Sequence, residues 1–79
     1  MEIKVLGPGC QKCKALYKAV TEAVEEMGVS ADVQKVEKLD DIIEAGVMLT
    51  PGLLINGKVK VTGKVPGKED IKKYIKQEI

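Results

Sequence analysis

Residues 50–61 read TPGLLINGKVKV, Thr50 to Val61. Asn56-Gly57 between two apolar runs is the strongest short hairpin signal, because both residues tolerate the positive φ that a two-residue turn needs. Leu53-Leu54-Ile55 is apolar on both faces and suits a strand inside a sheet. Val59-Lys60-Val61 alternates and suits an edge strand, which Lys58, Lys60 and Lys64 protect from pairing with other chains. Downstream, Glu69 and Asp70 open a helix and Lys72, Lys73 and Lys76 follow, an order that complements the helix dipole. Ile71, Tyr74, Ile75 and Ile79 form the stripe it should bury.

Upstream, Ile3-Lys4-Val5-Leu6 is a strand ended by Gly7-Pro8-Gly9. Leu16, Ala19, Val20, Ala23, Val24 and Met27 then recur at helical spacing, predicting a helix from Cys10 to Met27 with Gly28 as its cap. Glu22, Glu25 and Glu26 form its solvated face. Ala31 to Val36 alternates imperfectly and suits an edge strand. Leu39, Ile42 and Ile43 share one face of a short helix closed by Gly46, and Met27 and Met48 are expected in the core. The order is βαβαββα, an α/β domain with a four-stranded mixed sheet and helices on both faces.

At 79 residues the chain makes one domain, 1–79, which buries about 60% of its unfolded surface. Its apolar inventory is aliphatic, without Phe or Trp. The net charge is +1, from thirteen lysines against twelve acids. No basic face, arginine or aromatic cluster is available for nucleic acid. The N-terminus enters strand-like alternation directly, so we expect neither a signal peptide nor a membrane span, and a cytoplasmic monomer.

In a reducing compartment a lone cysteine pair is more often catalytic or metal-binding than structural. Cys10 and Cys13 stand at i and i+3, one face of a helix, within the separation that a disulfide can bridge. The start of a helix favours a thiolate, and Lys12 and Lys14 add positive charge. Such settings lower a cysteine pKa to roughly 3.5–7.5. The apolar stripe extended backwards reaches Cys13, which should face inward, while Cys10 lies at the helix mouth. Cys10 is therefore expected to attack a disulfide and Cys13 to resolve the mixed disulfide.

CQKC opening a long helix after the first strand, followed by GVMLTPGLLINGKVKVTGKVPGKEDIKKYI, resembles the thioredoxin superfamily. It is most similar to its small redox-active disulfide, or glutaredoxin-like, members, which lack the extra N-terminal strand and helix. The resemblance covers Ile3 to Ile75. It implies a minimal thioredoxin fold and a thiol–disulfide oxidoreductase acting on protein disulfides, recharged by an unidentified reductase, with no organic cofactor and no metal. It implies further that Thr50-Pro51 is a cis-proline loop beside the cysteines, that the Thr50 backbone holds an extended substrate segment, and that Gly63 is a small residue near the same surface. Lys12 is the candidate for tuning the Cys10 pKa.

The chain also departs from the family pattern. Gly9 precedes the pair and Gln11-Lys12 separates it, where thioredoxins carry Trp and Gly-Pro. Lys4 stands where thioredoxin has the buried acid that assists the resolving cysteine, and TGKVPGKED does not reproduce the glutathione-binding segment of glutaredoxins.

Other readings of the pair differ in chemistry. Two cysteines without His cannot complete a tetrahedral zinc shell in one molecule. A Cu(I) chaperone needs only two thiolates, but that fold ends in a strand and this chain ends in a helix. A structural disulfide closing so short a loop would add little stability. A thioredoxin-like binding module with inert cysteines is the remaining alternative.

Overall fold

The computed structural model describes residues 1–9 and 11–79. Its elements are β1 (Glu2–Leu6), α1 (Gln11–Met27), β2 (Asp32–Val36), α2 (Leu39–Glu44), β3 (Gly52–Ile55), β4 (Lys58–Thr62) and α3 (Lys68–Lys76). Cys10, expected to begin the first helix, lies outside the described residues.

The sheet order is β2-β1-β3-β4. The crossover through α1 lets β2 run parallel to β1, in a register that ends at Leu6 opposite Val36. β3 is antiparallel to β1, with Ile3 opposite Ile55 and Leu6 opposite Gly52. The interior strands β1 and β3 carry the apolar runs, and the lysine-bearing β2 and β4 take the edges. The hairpin turns on Asn56 (φ 52°) and Gly57 (φ 81°), the doubly left-handed geometry that Asn-Gly favours. Glu2 N–H donates to Asn56 Oδ1 at 3.0 Å, which fastens this turn to the start of β1.

Side chains alternate across the strands, so each face of the sheet has its own core. Ile3, Val5, Leu53, Ile55 and Val61 meet Leu16, Val20 and Ala23 of α1 and Ile71 and Ile75 of α3. Leu6 and Leu54 point the other way, against Ile42 and Val47. Each Val, Leu or Ile among them, fully buried, contributes roughly 1.5–3 kcal/mol. Helices therefore cover both faces of a mixed four-stranded sheet, as expected.

Several side chains lie elsewhere than expected. Leu39 and Ile43 are exposed, and Ile42 alone on α2 is buried. α2 has only six residues, and it ends in a reversal where Val47 N–H bonds the Ile42 carbonyl and Gly46 N–H the Ile43 carbonyl. Such a short helix presents one turn to the sheet, and its other apolar positions stay largely exposed. Met48, expected in the core, is 84% exposed. Ile79 lies beyond α3 and is exposed, and Tyr74 is only half-buried, so the stripe of α3 narrows to Ile71 and Ile75.

In β4 the alternation is broken. Leu53 pairs with Val61 but Leu54 with Val59, so Lys60 is an inserted bulge residue. The bulge turns Val59 and Val61 to opposite faces, leaving Val59 44% exposed and Val61 3%. Lys60 binds Glu78 at 2.9 Å, and Lys58 binds the same carboxylate at 3.3 Å. Glu26, expected to be simply solvated, joins two helices by accepting hydrogen bonds from Lys68 and, at 2.8 Å, from Lys72.

Candidate functional site

The strand register assembles one end of the sheet. Leu6 pairs with Val36 in parallel and with Gly52 antiparallel, and Gly52 pairs with Thr62. The chain after Leu6, the chain after Val36, the chain before Gly52 and the chain after Thr62 therefore leave the sheet together. Those four positions lead to the cysteine turn, to Glu37, to Thr50-Pro51 and to Gly63. Residues far apart in sequence converge because the ladders end in step.

Cys13 occupies the first turn of α1 and is buried, 5% exposed. It faces inward, as the extended stripe of α1 predicts. Gly7 is the reason it fits. A β-carbon on Gly7 would overlap the Cys13 sulfur and stand 3.7 Å from Thr50 Cβ. Gly7 N–H donates to the Val36 carbonyl at 2.9 Å, which holds the turn against the end of β2. No acid lies in the first turn of α1, so the positive end of the helix there meets no carboxylate of its own.

The Thr50–Pro51 peptide bond is cis. Pro51 is buried, and its carbonyl accepts a hydrogen bond from Gly63 N–H at 2.9 Å. Gly63 has φ +76°, a conformation that favours glycine, and a β-carbon on it would come to 3.1 Å from Leu49 Cβ. Thr50, Pro51, Gly63 and Cys13 are thus brought to one end of the sheet. Lys12 is exposed on the first turn of α1.

Sequence reasoning missed four residues here. Met48 and Leu49, 84% and 64% exposed, present an apolar surface just before Thr50. A loop has no hydrophobic period, so nothing in the sequence marks them as exposed. Gly7 reads as an ordinary turn residue. Glu37 reads as a charge after a strand, yet it lines a cavity of about 60 Å³ together with Cys13, Gly7, Gly9, Lys14 and Lys35. Lys35 also lies over the ring of the half-buried Tyr17, 4.5 Å from its centroid. Among the described residues no group of three or more Cys, Asp or Glu side chains is arranged to hold a metal ion. No helix among them is long and apolar enough to cross a membrane.

The site is therefore a buried cysteine in the first turn of a helix, at the same end of the sheet as a cis-proline loop. The family model described as Thioredoxin domain matches residues 1–76. The chain belongs to the thioredoxin family. A thioredoxin of Methanothermobacter thermautotrophicus is 43% identical over 75 residues, covering 95% of this chain and 97% of its own. A thioredoxin of Methanocaldococcus jannaschii is 39% identical over 74 residues, covering 94% of this chain and 85% of its own. A probable thioredoxin of Methanothermobacter marburgensis is 36% identical over 75 residues, with 91% and 87% covered. Membership in the thioredoxin family makes the chain a thioredoxin-like redox protein, in general terms a thiol oxidoreductase.

Proposed function

We infer that the chain is a dithiol–disulfide oxidoreductase that reduces or exchanges disulfides in proteins through Cys10 and Cys13. The observation that supports this best is the convergence at one sheet end. There a buried Cys13, three residues after Cys10 in the sequence, packs beside Gly7, where a β-carbon would lie 3.7 Å from Thr50 Cβ, and the exposed apolar residues Met48 and Leu49 lead into Thr50-Pro51.

Cys10, as thiolate, attacks one sulfur of the substrate disulfide. A Cys10–substrate bond forms and the other substrate sulfur leaves with the electron pair. Cys13 then attacks the Cys10 sulfur, closing the Cys10–Cys13 disulfide and releasing the second substrate sulfur. Two electrons pass to the substrate, and a reductase of unidentified type returns them. Lys12 adds positive charge near Cys10. The Thr50 backbone pairs with an extended substrate segment, while Pro51 and Gly63 keep that surface open. In this reading the whole chain, 1–79, acts as one domain, a monomer of the cytoplasm.

The test is insulin reduction with dithiothreitol as electron donor, followed by turbidity. The wild type should accelerate precipitation and Cys10→Ser should abolish the acceleration. A wild type that ignores disulfides but takes up Cu(I) tightly at neutral pH would replace this reading with the metal one.

A further inference from the structure

A resolving thiol must lose its proton before it can attack, and an ordinary cysteine near pH 7 is mostly protonated. The first turn of α1 contains no carboxylate, and β1 offers Lys4, whose side chain lies on the opposite face of the sheet with Leu6 and Leu54. Cys13 nevertheless shares a cavity with a carboxylate. Glu37 follows the last residue of β2, and the Leu6–Val36 pairing with the Gly7–Val36 hydrogen bond carries it to the cysteine turn. One carboxylate oxygen, Oε2, stands 3.3 Å from where a β-carbon on Gly9 would be. Glu37 and the Cys13 side chain line the same 60 Å³ cavity, whose charged walls are Lys14 of α1, Lys35 of β2 and Glu37 itself. A space of that size, bordered by three charged side chains, has room for water.

We propose that Glu37 is the proton acceptor for Cys13, taking its proton through water in this cavity as the mixed disulfide is resolved. The proposal rests on the dithiol reading above. The Cys13 S–H bond breaks and its proton passes to the Glu37 carboxylate. The Cys13 sulfur then bonds to Cys10, the Cys10–substrate bond breaks, and the electron pair leaves on the substrate sulfur. Glu37 afterwards returns the proton to solvent. Lys14 and Lys35 stabilise the transient Cys13 thiolate, and Lys35 is held in place by the Tyr17 ring. The other cavity walls, Val5, Gly7 and Gly9, carry no charge.

A relay and a simple charge effect predict opposite signs. Neutralising Glu37 removes a negative charge near Cys13, which by electrostatics alone favours the thiolate and speeds resolution. Loss of a proton acceptor slows it.

The experiment uses the full reduced chain and 5,5′-dithiobis(2-nitrobenzoate) under stopped flow. The first thionitrobenzoate released reports attack by Cys10 and the second reports resolution by Cys13, a phase that Cys13→Ser eliminates. Glu37→Gln should slow the second release, relative to the first, about a hundredfold at pH 6, the low end of general-base effects because the carboxylate is exposed. The gap should narrow as pH rises, because a thiol that is already ionised needs no proton acceptor. Glu37→Asp should recover part of the lost rate. A second release unchanged or faster in Glu37→Gln overturns the role of Glu37 while leaving the dithiol reading intact. A wild type with no second release removes both.

Discussion

Gly7 lies so close to Cys13 that a β-carbon on it would overlap the sulfur. The buried sulfur of the site is seated against bare backbone, and the backbone in turn is held by the end of β2. The glycine is needed here for space, because nothing larger leaves room for the sulfur between α1 and the turn.

Gly7→Ala should therefore push Cys13 aside. We expect a loss of about 1–3 kcal/mol, the usual cost of overpacking, in denaturant unfolding of the reduced protein. Resolution of a mixed disulfide should slow more than its formation. Alanine at Pro8, an exposed neighbour in the same turn, should affect the sulfur chemistry far less.

The bulge at Lys60 separates two valines that the sequence makes equivalent. Val61→Ala should cost about 1 kcal/mol or more, because Val61 is buried in the larger core. Val59→Ala should lie within about 0.5 kcal/mol of wild type, as exposed substitutions do. Equal losses in thermal or urea unfolding would mean that the strand alternates without a bulge.

Glu26 is held well below the usual carboxylate range, to about 2, chiefly by its hydrogen bonds with Lys68 and Lys72. A carboxyl depressed on folding contributes stability that is present above its unfolded value and disappears as pH falls through its folded one. The stability difference between wild type and Glu26→Gln should be constant above about pH 5 and shrink toward zero near pH 2. It should also shrink in high salt, since the pair is solvent-exposed. Unfolding curves of both proteins across that range check the sign.

The parts legible in the sequence are those governed by local rules. Asn56-Gly57, the long period of α1 and the charge order of α3 each fix an element without reference to the rest, and their sequence along the chain leaves little freedom in topology. Cys13 faces inward because the stripe of α1 runs through it. What sequence reasoning missed depends on contacts between elements. Leu39 and Ile43 keep helical spacing, yet α2 is too short to bring them to the sheet. Met48 is an apolar residue in a loop, whose burial no period predicts. Val59 is turned outward by an inserted lysine that resembles any other edge lysine. Gly7 and Glu37 come to Cys13 only because three ladders end in step, which the sequence of any one strand does not reveal.

The central claim is that Cys10 captures a substrate sulfur and Cys13 displaces it. The most direct measurement is intact-mass spectrometry of wild type, Cys10→Ser and Cys13→Ser after brief exposure to a disulfide-bonded peptide at neutral pH. The account predicts a lasting one-to-one peptide adduct on Cys13→Ser, little adduct on Cys10→Ser, and wild type lighter by two hydrogens with no peptide attached. An adduct that forms as fast on Cys10→Ser as on Cys13→Ser, or on neither, would contradict it.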